Sequence, residues 1–303
     1  MADKPVIIET ALSPIRMLGE DPAFTIDELI GEAKGALANG ASIIHYHTDF
    51  GLSVDDNVRD MVKFGKGVLE ANPEALYYSA PIAQTFEASV AHLPGVLEAG
   101  TLRMCTLEPG VSLSGGLRDD GEPYTVFDHR MVYEDCNTLA KRLSDWNIPM
   151  AIGIMEASAM RWAAIQAKRG ALPTGSYAKF YLCTDMDTFQ QGKKGMNYGL
   201  PPTKAAVDAL VEMIGDAPLP WMVLSFGAPI HEDKAFIRYV IEKGGHVRTG
   251  LEDASGNTDL TNAECVAAVA DIVREVGRPV ATCSQTRDIL GIKHIDTKTP
   301  LAA

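Results

Sequence analysis

The sequence has no hydrophobic run long enough to cross a membrane. A transmembrane helix needs about 20 consecutive apolar residues, and every apolar stretch in this 303-residue chain is interrupted well before that length. The opening residues, MADKPVIIETAL, also lack the basic start and the long apolar core of a secretory signal peptide. We therefore expect neither a membrane anchor nor a cleaved leader.

Cysteine is scarce, and its pattern argues against a disulfide framework. The cysteines are an odd number, lie far apart and include no C-x-x-C pair: Cys105, Cys136, Cys183, Cys265 and Cys283. Small secreted domains that depend on disulfides carry an even number of cysteines at close spacing. The pattern favours a reducing compartment, and we expect the protein to be cytoplasmic.

Basic residues are too few for a protein that binds nucleic acid. Lys and Arg number 27 against 40 Asp and Glu, which gives a formal net charge of −13. A chain this acidic is repelled by nucleic acid and by anionic lipid. Any anionic ligand must therefore be held by a local cluster of Arg and Lys. No P-loop is present and no G-x-G-x-x-G follows a strand, so neither ATP nor NAD is indicated.

What the sequence does contain is a regular alternation of short apolar runs and longer helical patterns. Hydrophobic residues make up 46% of the chain, which is enough for a sizeable core. Eight runs rich in Val, Ile, Leu and Tyr are candidate strands: 5–12, 42–48, 75–80, 102–107, 148–155, 179–184, 221–226 and 246–251. Between them lie helical patterns such as 25–40, where Thr25 and Glu28 are spaced as a capping box and Gly40 follows the end.

Eight strand–helix repeats in one chain of this length favour an α/β fold of the (β/α)8 type, a TIM barrel. An open, doubly wound sheet is the alternative. The chain contains no Pro/Ser-rich linker and no low-complexity run, so we predict that residues 1–303 form a single domain. In barrels of this kind the chemistry takes place at the C-terminal ends of the strands. Polar residues at those ends are therefore the candidates for function.

Two histidines stand at the end of the second candidate strand. His45 and His47 flank Tyr46, and residues i and i+2 of a strand share a face. Both imidazoles can therefore reach one point, which suits a divalent metal ion. An H-x-H pair also arises from ordinary packing, so this motif by itself leaves both interpretations open.

The last candidate strand carries charged residues on one face. Arg248, Gly250 and Glu252 alternate along it, and buried charges need partners. One interpretation is a simple Arg248–Glu252 ion pair. The other is that Glu252 joins His45 and His47 as a third metal ligand while Arg248 holds an anion. Two histidines and one carboxylate leave a coordination position open, as a catalytic zinc site requires.

Together these motifs resemble the β-keto acid cleavage enzymes, also called 3-keto-5-aminohexanoate cleavage enzyme-like proteins. The resemblance rests on H-x-H at 45–47, on GGHVRTGLED at 244–253, and on PVIIETALS (5–13), MCTLEPG (104–110) and GRPVATCSQTRDILG (277–291). It covers nearly the whole chain. It implies a TIM barrel that binds a zinc ion, and a transferase that converts a β-keto acid and acetyl-CoA into acetoacetate and a CoA ester.

The resemblance also implies roles for single residues. The metal ligands map to His45, His47 and Glu252, and the acid/base pair maps to Arg248 and Asp253. Asp253 would take the α-proton of the keto acid, and the resulting carbanion would attack the thioester of acetyl-CoA. Glu252 and Asp253 are consecutive, however, and face opposite ways in a regular strand. Both reach the site only if the chain turns at Leu251–Asp253.

Further residues map to the substrate. The resemblance places Ser79 and Thr106 at the developing oxyanions, where their hydroxyls would donate hydrogen bonds; capping of the next turn is the competing interpretation. Arg16 stands where members that act on an amino-substituted keto acid have a glutamate. It favours a substrate with an anionic tail, although an exposed loop arginine fits as well. Glu9 is expected to face the barrel interior, either beside the substrate site or paired with Arg248.

The chain departs from the family pattern on the fifth strand. Members usually carry P-E-x-E there, with glutamates that assist catalysis, whereas this chain reads Pro149-Met150-Ala151-Ile152, with Glu156 nearby as a substitute. The missing acids favour a second hypothesis, a metal-dependent aldolase or hydrolase that does not use acetyl-CoA. A third hypothesis is a binding protein that has kept only the metal. The resemblance further implies a homo-oligomer, with a tetramer as the expected form.

Anionic CoA needs basic residues at the barrel mouth. The segment 190–204, after the sixth candidate strand, offers Lys193, Lys194 and Lys204, and loops after late barrel strands often bind phosphate. An ordinary solvated loop is the competing interpretation.

Overall fold

The computed structural model of the protein describes residues 4–13, 24–49, 51–80, 85–188 and 192–293. In these ranges the strands are β1 (Ile8–Ala11), β2 (Ile43–Tyr46), β3 (Leu76–Ser79), β4 (Cys105–Leu107), β5 (Gly110–Leu117), β6 (Pro123–Met131), β7 (Met150–Ile154), β8 (Tyr177–Cys183), β9 (Gly195–Met196), β10 (Trp221–Phe226) and β11 (His246–Thr249). Arg16 lies outside the described residues, so its expected role at the substrate tail stays a prediction.

The helices are α1 (Ile26–Ala38), α2 (Val54–Ala71), α3 (Phe86–Val90), α4 (Leu93–Glu98), α5 (Tyr133–Trp146), α6 (Ala157–Lys168), α7 (Lys204–Ile214), α8 (Lys234–Glu242), α9 (Leu251–Ala254), α10 (Asn262–Glu275) and α11 (Cys283–Leu290), with a short 3₁₀ helix at Ile230–Glu232. The predicted start at Thr25 is confirmed, because Thr25 and Glu28 form a full capping box. No helix in the described ranges is both long and apolar enough to span a membrane.

Eight of the strands form one parallel sheet in the order β3-β2-β1-β11-β10-β8-β7-β4. The two ends of this sheet, β3 and β4, contact each other without a hydrogen-bonded ladder. The sheet is thus a nearly closed barrel with the helices outside it. The predicted TIM barrel is confirmed, and each of the eight candidate runs overlaps one barrel strand.

The barrel interior is apolar at its base and polar toward the C-terminal ends of the strands. The base is filled by a cluster that includes Ile7, Ile43, Leu76, Met104 and Met222. Nearer the C-terminal ends of the strands, the next inward-facing side chains are charged or phenolic, and all of them are buried: Glu9, Tyr78, Lys179 and Arg248. This alternation places polar groups where the chemistry of such barrels occurs.

A second sheet lies beside the barrel mouth, and the sequence pattern did not predict it. It is antiparallel, in the order β6-β5-β9. Strand β5 begins shortly after the end of β4. Ser112 on β5 lies 3.0 Å from the sulfur of Met155 at the top of β7, and His129 on β6 contacts the backbone oxygen of Glu108 at 2.7 Å. The hairpin therefore holds the loop that follows β4.

Candidate metal centre and active site

The structure brings His45 and His47 together with Glu252. The two histidines lie at the C-terminal end of β2 and just beyond it, and their Nε2 atoms are 3.3 Å apart. One carboxylate oxygen of Glu252, Oε2, lies 3.2 Å from each of these nitrogens. The three ligand atoms are close enough to one another to hold a metal ion. The convergence that the resemblance implied is thus present in the geometry.

A sharp turn after β11 puts Glu252 and Asp253 on the same side. Gly250 has φ +143°, and a Cβ on it would lie 2.2 Å from the backbone oxygen of Ala11. The short helix α9 starts directly afterwards, at Leu251. Consecutive residues of a helix diverge by about 100° rather than the 180° of a strand. Both carboxylates can therefore face the barrel mouth.

Asn262, the first residue of α10, ties this turn to the neighbouring strand. Its side-chain oxygen accepts a hydrogen bond of 3.0 Å from the backbone N–H of Leu251. Its side-chain nitrogen donates to the backbone oxygen of Leu12 at 3.0 Å, at the end of β1. Asn262 is fully buried, so it fixes the turn that carries Glu252 relative to the strand that lies beside β2.

The donor atoms fit a divalent metal ion. Burial lowers the pKa of His45 to about 4, so at neutral pH its imidazole is uncharged and can offer a lone pair. Within the described residues, Glu252 Oε2 is buried and has no hydrogen-bond partner, although it lies between two imidazole nitrogens. An orphaned carboxylate oxygen of this kind is costly unless it binds a cation. Two nitrogens and one oxygen are also a ligand set that zinc accepts.

Arg248 holds both carboxylates at once. Its Nη2 lies 2.7 Å from Glu252 Oε1 and 2.7 Å from Asp253 Oδ1, and its Nε lies 3.1 Å from Asp253 Oδ1. The ion pair and the metal-ligand interpretation are therefore compatible, because Glu252 uses one oxygen for each. Burial raises the pKa of Asp253 to about 7 against the pull of Arg248. Burial acts in the same sense on Glu252, but His45 and Arg248 outweigh it and hold the pKa of that carboxyl well below its usual range.

Two other predicted site residues, Glu9 and Thr106, lie inside the barrel. Glu9 is fully buried beneath this centre and accepts hydrogen bonds from the hydroxyls of Tyr78 and Tyr177. Thr106 faces the barrel interior, and its hydroxyl lies 3.4 Å from the backbone oxygen of Ala151.

Ser79 lies on the outer side of its strand. Its hydroxyl is 3.9 Å from the sulfur of Met61 on α2, so the structure does not bring it to the metal ligands. Its contact with substrate stays a prediction that rests on the resemblance alone.

The inward-facing positions of β7 carry no acid. They are Ala151 and Gly153, and a Cβ on Gly153 would lie 2.8 Å from Cγ of Glu108. Glu108, which follows β4, occupies that space and accepts a hydrogen bond of 3.0 Å from the hydroxyl of Tyr181. Glu156, the expected substitute, lies 3.5 Å from the backbone nitrogen of Gly199.

Sequence reasoning missed the buried lysine of the barrel. Lys179 on β8 is fully buried, and its Nζ lies 2.7 Å from the hydroxyl of Tyr78 and 3.0 Å from that of Tyr181. Its signal was a single cation inside the otherwise apolar run YAKFYLC. Of the loop lysines considered for CoA, Lys194 forms an exposed ion pair with Asp185.

Carboxylates outnumber cations around the described centre. Its carboxylates are Glu9, Glu108, Glu252 and Asp253, and its cations are Arg248 and Lys179. The formal excess is two negative charges, which one divalent cation would neutralise. The charge balance and the donor geometry thus point to the same kind of ligand.

Comparison with known proteins identifies the family of the chain. The family model described as β-keto acid cleavage enzyme matches residues 5–292. The chain belongs to the β-keto acid cleavage enzyme family. It is 26% identical to a 3-keto-5-aminohexanoate cleavage enzyme of Acetoanaerobium sticklandii, over 89% of this chain and 90% of that protein. It is also 26% identical to a 3-oxoadipate:acetyl-CoA acetyltransferase of Cupriavidus necator, over 98% of this chain and 99% of that protein.

Solved structures share the fold of this β-keto acid cleavage enzyme family member. A ternary complex of ObcA with a C4-CoA adduct and oxalate superposes with a TM-score of 0.61 at 14% identity, covering 92% of this chain and 67% of that chain. The apo homocysteine methyltransferase MmuM from Escherichia coli superposes with a TM-score of 0.51 at 13% identity, covering 89% of this chain and 96% of that chain. At these identities the likeness establishes the barrel fold and nothing further.

Proposed function

We propose that the protein is a zinc-dependent acyltransferase that converts a β-keto acid and acetyl-CoA into acetoacetate and the CoA ester of the remaining acyl group. The observation that carries the proposal is the position of Asp253, which Arg248 clamps directly beside the His45–His47–Glu252 donor set. A base held next to a cation site is the arrangement that proton removal from a keto acid requires.

His45, His47 and Glu252 would hold the zinc ion. When bound there, zinc supplies Lewis-acid polarisation of the keto group, which makes the adjacent α-proton more acidic. Asp253 takes that proton on a carboxylate oxygen. Arg248 keeps the carboxylate of Asp253 oriented through its Nε and Nη2 contacts.

The rest of the reaction conserves every atom. The α-carbon, freed of its proton, forms a bond to the acetyl carbonyl carbon, and CoA leaves as a thiolate. The thiolate then adds to the original keto carbon, and the bond between that carbon and the α-carbon breaks. Asp253 returns its proton to the α-carbon, which gives acetoacetate and the new CoA ester. Thr106, on the inner face of β4, is proposed to donate a hydrogen bond to a carbonyl oxygen in these steps.

The names of the relatives support this substrate class. One relative is named for 3-keto-5-aminohexanoate and another for 3-oxoadipate and acetyl-CoA, and both keto acids carry the ketone β to a carboxylate. The predicted role of Arg16 favours the second kind of tail, which is anionic.

The test is a substrate panel with the purified, zinc-loaded protein. β-Keto acids with anionic, neutral and cationic tails are each incubated with acetyl-CoA, and acetoacetate and the new CoA ester are quantified. We expect both products in equal amounts and the fastest turnover with an anionic tail. Asp253→Asn should slow turnover by about 10²-fold or more, while Lys141→Met, a change at an exposed helix position, should leave it unaltered.

The same panel separates the competing function. A metal-dependent aldolase or hydrolase would cleave the keto acid, or hydrolyse an ester or lactone, at the same rate with and without acetyl-CoA. The absence of acids at the inward-facing positions of β7 is the observation that favours this alternative. Cleavage that does not depend on acetyl-CoA would replace the proposed reaction with this one.

A further inference from the structure

The steps above make no use of Lys179, which lies beneath the metal centre. Its side chain is fully buried inside the barrel. Its Nζ donates to the hydroxyl of Tyr78 at 2.7 Å and lies 4.7 Å from the centre of the same ring. The ring of Tyr78 in turn packs against the ring of His45, with the ring centres 4.7 Å apart. Lys179 is therefore connected to a metal ligand through a single side chain.

Tyr78 also connects Lys179 to Glu9. The Tyr78 hydroxyl accepts a hydrogen bond from Lys179 and donates one to the carboxylate of Glu9. Glu9 accepts a second hydrogen bond from the hydroxyl of Tyr177. The carboxylate is fully buried, so its charge has to be balanced inside the barrel. Within the described residues, the two cations near it are Lys179 and Arg248.

Arg248 lies between two sets of acids. Toward the barrel mouth it contacts Glu252 and Asp253, each at 2.7 Å, whereas toward the base its Nη1 lies 3.5 Å from Glu9. The guanidinium thus forms close contacts with Glu252 and Asp253 and only a long contact with Glu9. A buried carboxylate without another cation nearby would draw the guanidinium downward, because attraction between opposite charges is strong in a buried site.

We infer that Lys179 is a positioning residue for the proposed reaction. Its positive charge, held near Glu9 by their shared partner Tyr78, balances the negative charge of Glu9. Arg248 is thereby left free to hold Asp253 and Glu252. Burial lowers the pKa of Lys179 to about 8, so the side chain stays mostly protonated at neutral pH. The inference rests on the proposed function only for its kinetic consequence. Its structural consequence, the position of Arg248, stands independently of the reaction.

The test compares four proteins: the wild type, Lys179→Met, Glu9→Gln and the double variant. In Lys179→Met we expect the distance between Arg248 Nη1 and Glu9 Oε1 to shorten from 3.5 Å to about 2.8 Å, and the contact of Arg248 with Asp253 to be lost. We expect kcat to fall by about 10- to 100-fold, while KM changes by less than about threefold, because Asp253 loses its orientation rather than the substrate its contacts. Glu9→Gln alone should lower kcat only a few-fold.

The double variant carries the decisive result. Replacing Glu9 by Gln removes the charge that draws Arg248 downward, so kcat of the double variant should return to within a few-fold of Glu9→Gln. Damage to the packing alone would instead add to the loss. A double variant as slow as Lys179→Met, or slower, would overturn the inference.

Crystal structures of the same variants keep the inference testable without turnover. Arg248 should pair closely with Glu9 and lose Asp253 in Lys179→Met, and it should keep its 2.7 Å contact with Asp253 in the double variant. If the wild type shows no cleavage of any keto acid, the proposed function fails, while this shift still decides the role of Lys179. Lys179→Gln serves where Lys179→Met does not fold, because it retains a hydrogen-bond donor for Tyr78 and removes the charge. An Arg248 that stays on Asp253 in both Lys179→Met and Lys179→Gln would refute the inference.

Discussion

Gly250 sets how closely the last barrel strand approaches the first. Its backbone lies against Ala11, and only a residue without a side chain fits there at φ +143°. The approach has a functional consequence, because the turn that starts at Gly250 directs Glu252 toward His45 and His47. One residue without a side chain thus permits the convergence of three that bear ligand atoms.

Gly250→Ala should therefore be strongly destabilising. The new methyl group would overlap the backbone of Ala11 and add strain at a positive φ, with an expected loss of about 3 kcal/mol or more in the free energy of unfolding. Urea unfolding monitored by fluorescence measures it. Gly244→Ala is the matched control: it has φ +91° but open space around the position, so it should cost only about 1–2 kcal/mol of backbone strain. Equal losses in the two variants would contradict the steric argument.

At the scale of whole elements, the site depends on where β11 ends and α9 begins. Strand β11 carries Arg248 inward, and the first turn of α9 carries Glu252 and Asp253. The start of α10 anchors this strand-to-helix change through Asn262. The barrel places Arg248, Glu252 and Asp253 at its mouth. The change from β11 to α9 lets the side chains of all three residues face the same site.

Asn262→Ala should weaken metal binding more than it weakens the fold. The variant loses the link between Leu251 and Leu12, so the turn that bears Glu252 becomes less well fixed; residues that orient metal ligands typically change affinity by about 10- to 100-fold. Zinc titration against a competing chelator measures the effect.

A helix-cap variant provides the control for this experiment. Thr261→Ala removes the capping box of the same helix and should cost about 1 kcal/mol of stability, with metal affinity kept. If Thr261→Ala weakened zinc binding as much as Asn262→Ala, a general loosening of α10 would explain both, and the specific link would be refuted.

At the scale of the whole molecule, the candidate metal site joins segments that are distant in sequence. His45 lies at the end of the second barrel strand and His47 just beyond it, whereas Glu252 follows the last strand. A cation that binds all three stabilises only the folded state, since the unfolded chain does not hold the ligands together. Stability and metal occupancy are therefore coupled.

Zinc should accordingly raise the melting temperature of the metal-free protein. At a free concentration of about 100 times Kd, the gain is about 2.7 kcal/mol, which calorimetry of metal-free and zinc-loaded samples resolves. His45→Ala should melt at the same temperature with and without zinc. An unchanged melting temperature in the wild type would argue against zinc at this centre and would direct the search to other divalent ions.

The single domain, the homo-oligomer and the cytoplasmic location stay predictions.

The sequence by itself determined the alternation of strands and helices and favoured the barrel. Eight apolar runs separated by helical patterns have few ways to bury their surface, and an open, doubly wound sheet was the alternative. The pairing of His45 with His47 was also readable, because spacing along one strand fixes their common face. For Glu252 the residue pattern left open a metal ligand or an ion pair with Arg248, and the resemblance favoured the ligand without showing how the chain brings it there.

Only the tertiary structure decided how the charges are distributed. Arg248 and Glu9 are 239 residues apart, and no local pattern tells whether they meet at 2.7 Å or at 3.5 Å. Lys179 looked like a break in an apolar run, since its two tyrosine partners come from β3 and from its own strand. The hairpin of β5 and β6 was not predicted because both strands are half-exposed and β5 is rich in Ser and Gly. Periodicity records which face of an element is buried, whereas distances between buried charges depend on the closure of the barrel.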